Sequence, residues 1–106
     1  MAANIEDTLM IHKNEIVFFD EAENRHYRLT LSNLKKIVFD NMEVKKFFGL
    51  KKYTIEVIRF YVKDDDIPEV LEIREDMDPN FRRFLGGLRS FAEDNKIELE
   101  INRIGN

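Results

Sequence analysis

Few side chains in this sequence are equipped for chemistry. His12 and His26 are the only histidines, and there is no cysteine. An imidazole becomes a metal ligand or a triad base only beside further ligands or a nucleophile at compatible spacing. Neither histidine sits in an H-x-x-x-H or H-x-x-E-H pattern. Each therefore reads as a strand-edge residue, His12 ending a strand and His26 beginning one. Zero cysteine removes disulfides, thiol nucleophiles, Cys-type zinc sites and iron–sulfur clusters together. Asp64-Asp65-Asp66 with Glu69 offers oxygen ligands to a hard cation. Consecutive acids point in different directions, however, and the D-x-D-x-D-G spacing is missing, so a solvated turn is expected. Gly86-Gly87 forms no G-x-G-x-x-G or Walker pattern and implies no nucleotide. No catalytic residue, metal site or cofactor is assigned, and the chain is not expected to be an enzyme. A small hydrolase or isomerase working through carboxylates is the outlying alternative, and it would need a deep polar pocket.

The most suggestive segment is VKKFFGLKKY. Lys45, Lys46, Lys51 and Lys52 bracket Phe47, Phe48 and Leu50. With Gly49 at a hairpin tip, at least one of Phe47 and Phe48 points away from the core, because strand neighbours face opposite sides. An exposed aromatic ringed by lysines has the character of a protein hot spot or a membrane-surface contact. The alternative is that both rings are buried, one in the core and one under a neighbouring helix or loop. Lys45, Lys46, Phe47, Phe48, Lys51 and Lys52 are taken as the candidate binding residues.

Something must position that segment. The chain has 106 residues and 12.7 kDa, with 43% hydrophobic and 36% charged residues. That is one domain, residues 1–106, with a core over about 5–101. The net charge of −4 argues against nucleic acid as a partner. Charge is nevertheless polarised: residues 34–63 carry net +5 and residues 64–80 net −7. The two blocks either steer a partner or face each other across adjacent strands. The N-terminal MAANIEDTLMIHKNE lacks the basic and apolar regions of a signal peptide. No apolar run exceeds four residues, so no membrane-spanning helix is expected. The chain reads as cytoplasmic.

Short alternating runs fill most of the sequence. Thr8–His12 and Glu15–Asp20 flank Lys13-Asn14, a two-residue hairpin candidate. His26–Leu31 alternates, with Tyr27, Leu29 and Leu31 on one face. A turn at Ser32-Asn33 and a strand over Lys35–Asp40 are expected next, then a strand pair or loop over Asn41–Lys52. In Lys52–Val62, Tyr53, Ile55, Val57, Arg59 and Tyr61 share a face. Ile58, Phe60 and Val62 lie on the other, so both faces are expected to be covered there. Glu69–Arg74 is a further strand. Asp78 as N-cap and Pro79 as first helical residue open a helix. Phe81, Phe84, Leu85, Leu88, Phe91 and Ala92 form its apolar face, and Asn95 is expected in the left-handed position that ends it. Gly86 and Gly87 each cost that helix about 1 kcal/mol against alanine. Close approach to a strand or to another chain is expected to offset them. Ile97–Ile101 is a final strand, with Ile97, Leu99 and Ile101 inward, and residues from Arg103 are expected to fray.

This order resembles a bacterial pleckstrin-homology-like (PH-like) domain over about residues 5–95. The resemblance rests on strand order, on RLTLSNLKKIVF and on the late helix DPNFRRFLGGLRSFAEDN. It implies an α+β fold: an antiparallel barrel or curled sheet of about seven strands, with the long C-terminal helix closing one opening. The strand-like KIELEIN departs from the simplest family pattern, and an α+β sandwich of different strand order is the alternative. Family resemblance also implies binding rather than catalysis. Lipid-binding members use basic residues between the first two strands, where this chain has only Lys13, so phosphoinositide binding is not carried over. The expected function is a non-catalytic interaction module that binds protein partners or self-associates. The alternative is a peripheral module that meets an anionic membrane surface through the basic and aromatic hairpin.

Overall fold

The structure, a computed structural model, describes residues 8–102. Its elements run β1 (Leu9–Ile11), β2 (Glu15–Asp20), β3 (Arg25–Thr30), β4 (Leu34–Lys46), β5 (Lys51–Val62), β6 (Val70–Arg74), α1 (Phe81–Asn95) and β7 (Glu98–Ile101). The fold is α+β, with seven strands and one late helix among these residues. The strands form two sheets, ordered β1-β2-β3 and β6-β5-β4-β7. The barrel expectation is corrected here. Each sheet keeps its own two edges, so the strands do not close on themselves.

The all-antiparallel expectation is corrected as well. β7 lies parallel to β4, from Lys36↔Glu98 to Phe39↔Ile101. α1 carries the chain back along the sheet, so the strand after it runs in the same sense as β4. Ile97 and Leu99 pack against the core as expected, half-buried because β7 is an edge strand, whereas Ile101 is exposed rather than inward.

One apolar core joins the sheets and the helix. Ile16 and Leu29 enter it from the first sheet, and Ile37, Ile58 and Phe60 from the second; Phe81 and Leu88 enter from α1. All six expected helix-face residues are buried. β5 is covered on both faces, as its pattern implies: Phe60 meets the core, while Val57 is also fully buried on the opposite side. Arg59 lies on that opposite side and donates to Asp40 and to Glu72, both at 2.8 Å. The basic and acidic blocks thus do meet across paired strands β5 and β6.

The helix begins later than its sequence signals indicate. The Asp78 carboxylate accepts from the Asn80 N–H (2.9 Å) and from the Thr8 hydroxyl (2.5 Å). Asp78 is thereby spent on a turn, Asn80 takes the N-cap position and Pro79 lies outside the helix. At the other end Lys96, not Asn95, holds the left-handed position, with φ 57°. Asn95 stays helical and ties the helix to the β1–β2 turn, donating to the Lys13 carbonyl and accepting from Asn14 (both 2.9 Å). The two glycines separate in role. A Cβ on Gly87 would come within 2.8 Å of Ile11 Cδ1, whereas Gly86 faces open space. Close approach to β1 therefore accounts for Gly87 and not for Gly86. The expectation of fraying from Arg103 falls outside the described residues.

Candidate functional site

The region expected to be a short strand and then a strand pair or loop is one long hairpin. β4 runs unbroken to Lys46 and pairs with β5 as far as Lys46↔Lys51. Phe39 is the last fully buried side chain of β4 before the tip. Lys46 lies seven residues further along the strand, roughly 23 Å of extended chain at ~3.3 Å per residue.

Hydrogen bonds from outside the hairpin clamp it at its base. On one side the Asn102 N–H donates to the Phe39 carbonyl and the Asn41 amide donates to the Asn102 carbonyl, both at 2.8 Å. On the other, Glu56 donates its N–H to Glu75 Oε1 (3.0 Å) and accepts the Glu75 N–H at its carbonyl (3.0 Å). Arg82 reinforces that edge, donating to Glu56 (2.7 Å) and to Glu75 (2.6 Å). Residues 42–55 continue outward as a two-stranded arm.

The arm's end has three features that work against the isolated fold. Phe47 and Phe48 take φ 55° and 57°, in the left-handed region, followed by Gly49 at 87°. For side chains other than glycine or asparagine this costs about 1–2 kcal/mol per residue. The turn is closed by Gly49 N–H to the Lys46 carbonyl (3.2 Å) and Leu50 N–H to the Phe47 carbonyl (3.1 Å). Its apolar side chains face solvent: Phe47 is 66% exposed, Phe48 fully so, and Leu50 89%. Finally, Lys45 stands directly opposite Lys52 and Lys46 opposite Lys51, one pair on each face of the ribbon. Like charges in facing positions repel. Lys46 eases this by lying over the Tyr53 ring, 5.1 Å from its centroid.

All six residues taken from the sequence as binding candidates are therefore brought together and exposed at one point. The reason differs from the one anticipated. Strand alternation requires one of Phe47 and Phe48 to face outward, whereas both do, because neither is in a strand. Leu50 joins them; its signal was present in the same segment, but a lone leucine after a glycine is no marker by itself.

The other candidate groups occupy structural positions. Asp64 accepts from the Asp66 N–H (2.9 Å) and from the Asn33 amide (3.2 Å), an acid-rich turn whose bonds hold the Asp64 carboxyl below its ordinary value. His26 lies against Phe19, ring centroids 4.8 Å apart, and His12 is exposed at the β1–β2 turn. Among the described residues no cluster of three or more His, Cys, Asp or Glu side chains is arranged to hold a metal, and no polar or charged side chain is buried. Among the same residues no helix is long and apolar enough to cross a membrane. Comparisons with protein-family models, with curated proteins and with solved structures find nothing that matches this chain.

Proposed function

We propose that this chain is a non-catalytic interaction module, of the PH-like type its element order resembles, that docks a protein partner through the tip of the β4–β5 hairpin. One observation carries the reading: two solvent-facing phenylalanines in left-handed positions, at the end of an arm lined by facing lysine pairs. Each feature costs the free domain stability, and none contributes to its core. Backbone strain and exposed aromatic surface of this kind are retained where something else uses them. Aromatic side chains inside a polar rim are the usual make-up of a protein interface.

A photo-reactive phenylalanine analogue at position 48 tests this in an extract of the source cells. Irradiation is expected to give discrete protein adducts. They should disappear when Lys45, Lys46, Lys51 and Lys52 are replaced by glutamate, and should be absent when the probe sits at Lys63. An extract that gives no adduct beyond the Lys63 control overturns the reading. Salt-sensitive sedimentation of the chain with anionic vesicles, in place of protein adducts, would move the tip to a membrane surface.

A further inference from the structure

We infer that the tip of one copy docks into the cleft between β2 and β6 of a second copy. This rests on the reading of the tip as a docking element and names its partner. The tip has a defined chemistry: an apolar cap, Phe47, Phe48 and Leu50, on a collar of four lysines. Its receptor must therefore combine an apolar floor with an acidic rim. Two tips cannot serve each other, since face to face they would bring eight lysines together.

The molecule itself carries such a receptor. Where the two sheets fail to close, β2 and β6 border a cleft of about 340 Å³. Phe18, Ile73 and Met77 supply its apolar surface. Met77 is 74% exposed, after Phe48 and Leu50 the most exposed large apolar side chain among the described residues. Asp20, Glu21, Glu72 and Asp78 stand around it, Glu72 shared with Arg59 and Asp78 with the Thr8 hydroxyl and the Asn80 N–H. Arg74, the cation that borders it, is already gripped by both oxygens of Asp76 (3.0 and 2.8 Å). Other grooves on the surface fit less well. The one of about 480 Å³ beside β4 mixes Lys35, Lys36 and Lys63 with Glu69 and Glu98, and the one between β1 and α1 is bordered by His12 and Arg83. Neither presents a mainly acidic rim. The charge pattern of the whole chain agrees: the tip belongs to the net +5 block and Glu72, Met77 and Asp78 to the net −7 block.

Sedimentation velocity of the full chain over a wide concentration range tests this with two variants. Phe47→Asp with Phe48→Asp disables the tip, and Glu21→Lys with Met77→Lys disables the cleft. All four positions are exposed, and circular dichroism checks that both variants remain folded. The wild-type mass is expected to rise above 12.7 kDa with concentration, and to fall back as salt increases to about 0.5 M. Each variant alone should associate at least about tenfold more weakly. Mixed one to one, the variants should recover association and stop at two chains, since each pair retains one working tip and one working cleft. A monomeric wild type at every concentration overturns self-docking, and the photo-probe at position 48 then decides separately whether the tip docks at all. A cleft variant that associates like the wild type, beside a tip variant that does not, overturns the cleft and leaves the tip standing. A tip variant that associates undiminished overturns the inference outright.

Discussion

Phe47 and Phe48 sit where a tight hairpin favours asparagine and glycine, the residues that tolerate positive φ. Their replacement by that pair should relax the turn without touching the core. The Phe47→Asn, Phe48→Gly protein is expected to be more stable than the wild type by roughly 1 kcal/mol in urea unfolding, less than the full strain because glycine is freer in the unfolded chain. The same protein should lose binding at the tip. Stability gained together with binding lost would place the strain in the service of docking. A destabilised variant would instead make the two rings part of what holds the arm.

At the scale of elements, α1 shows how a single atom separates two neighbouring glycines. Gly86 faces open space, so Gly86→Ala should stabilise the chain by about 0.5–1 kcal/mol through helix propensity alone. Gly87→Ala should not, because its methyl meets Ile11 Cδ1. That atom is the end of a flexible side chain, so Ile11→Val, which deletes it, should restore to Gly87→Ala most of the gain seen at Gly86. Thermal melts of the three variants and the double variant measure this as a coupling between β1 and α1. The hairpin β4–β5 raises the same question of support. It is held at Phe39, Asn41 and Glu56 by Asn102 and Glu75, the residues that follow β7 and β6, and its outer part pairs strand to strand as far as Lys46↔Lys51.

For the whole molecule, the carboxylates set the response to acid. Asp76 is held below its ordinary 3.8 by hydrogen bonds from Arg74, and Asp64 by the Asp66 N–H and the Asn33 amide. Glu100 lies below its ordinary 4.5 through the Asn102 amide first and Lys36 second. Groups whose folded pKa is depressed stabilise the fold above their unfolded pKa, and that contribution fades as pH falls through the folded value. Stability should therefore hold down to about pH 4.5 and decline below it, as denaturation midpoints across acid pH would show. Lys36 runs the other way. Glu100 raises it above its ordinary 10.5, so its contribution is present at neutral pH and is lost only as pH rises past that raised value. Asp64 and Asp76 are exposed and Lys36 and Glu100 only half-buried, so the slope should be shallow. A sharp acid transition would point to a buried titrating group, and none is present among the described residues.

Periodicity is a local property, and what depends on it was legible in the residues. The spacing of Phe81, Phe84, Leu85, Leu88, Phe91 and Ala92 determines the buried face of α1, and alternation along 52–62 determines the two faces of β5. The order of residues in the chain likewise sets two lysines on either side of Phe47 and Phe48, whatever the fold around them. Pairing is not local. That β7 runs parallel to β4, that the sheets stay open, and that β2 and β6 border a cleft all depend on contacts between residues far apart in the chain. The start of α1 shows the same limit: Asp78 reads as a cap until Thr8, seventy positions away, engages it. Exposure of both phenylalanines is likewise a tertiary outcome. It follows from the register Lys46↔Lys51, which puts Phe47 and Phe48 in the turn, where strand alternation no longer sends one of them inward.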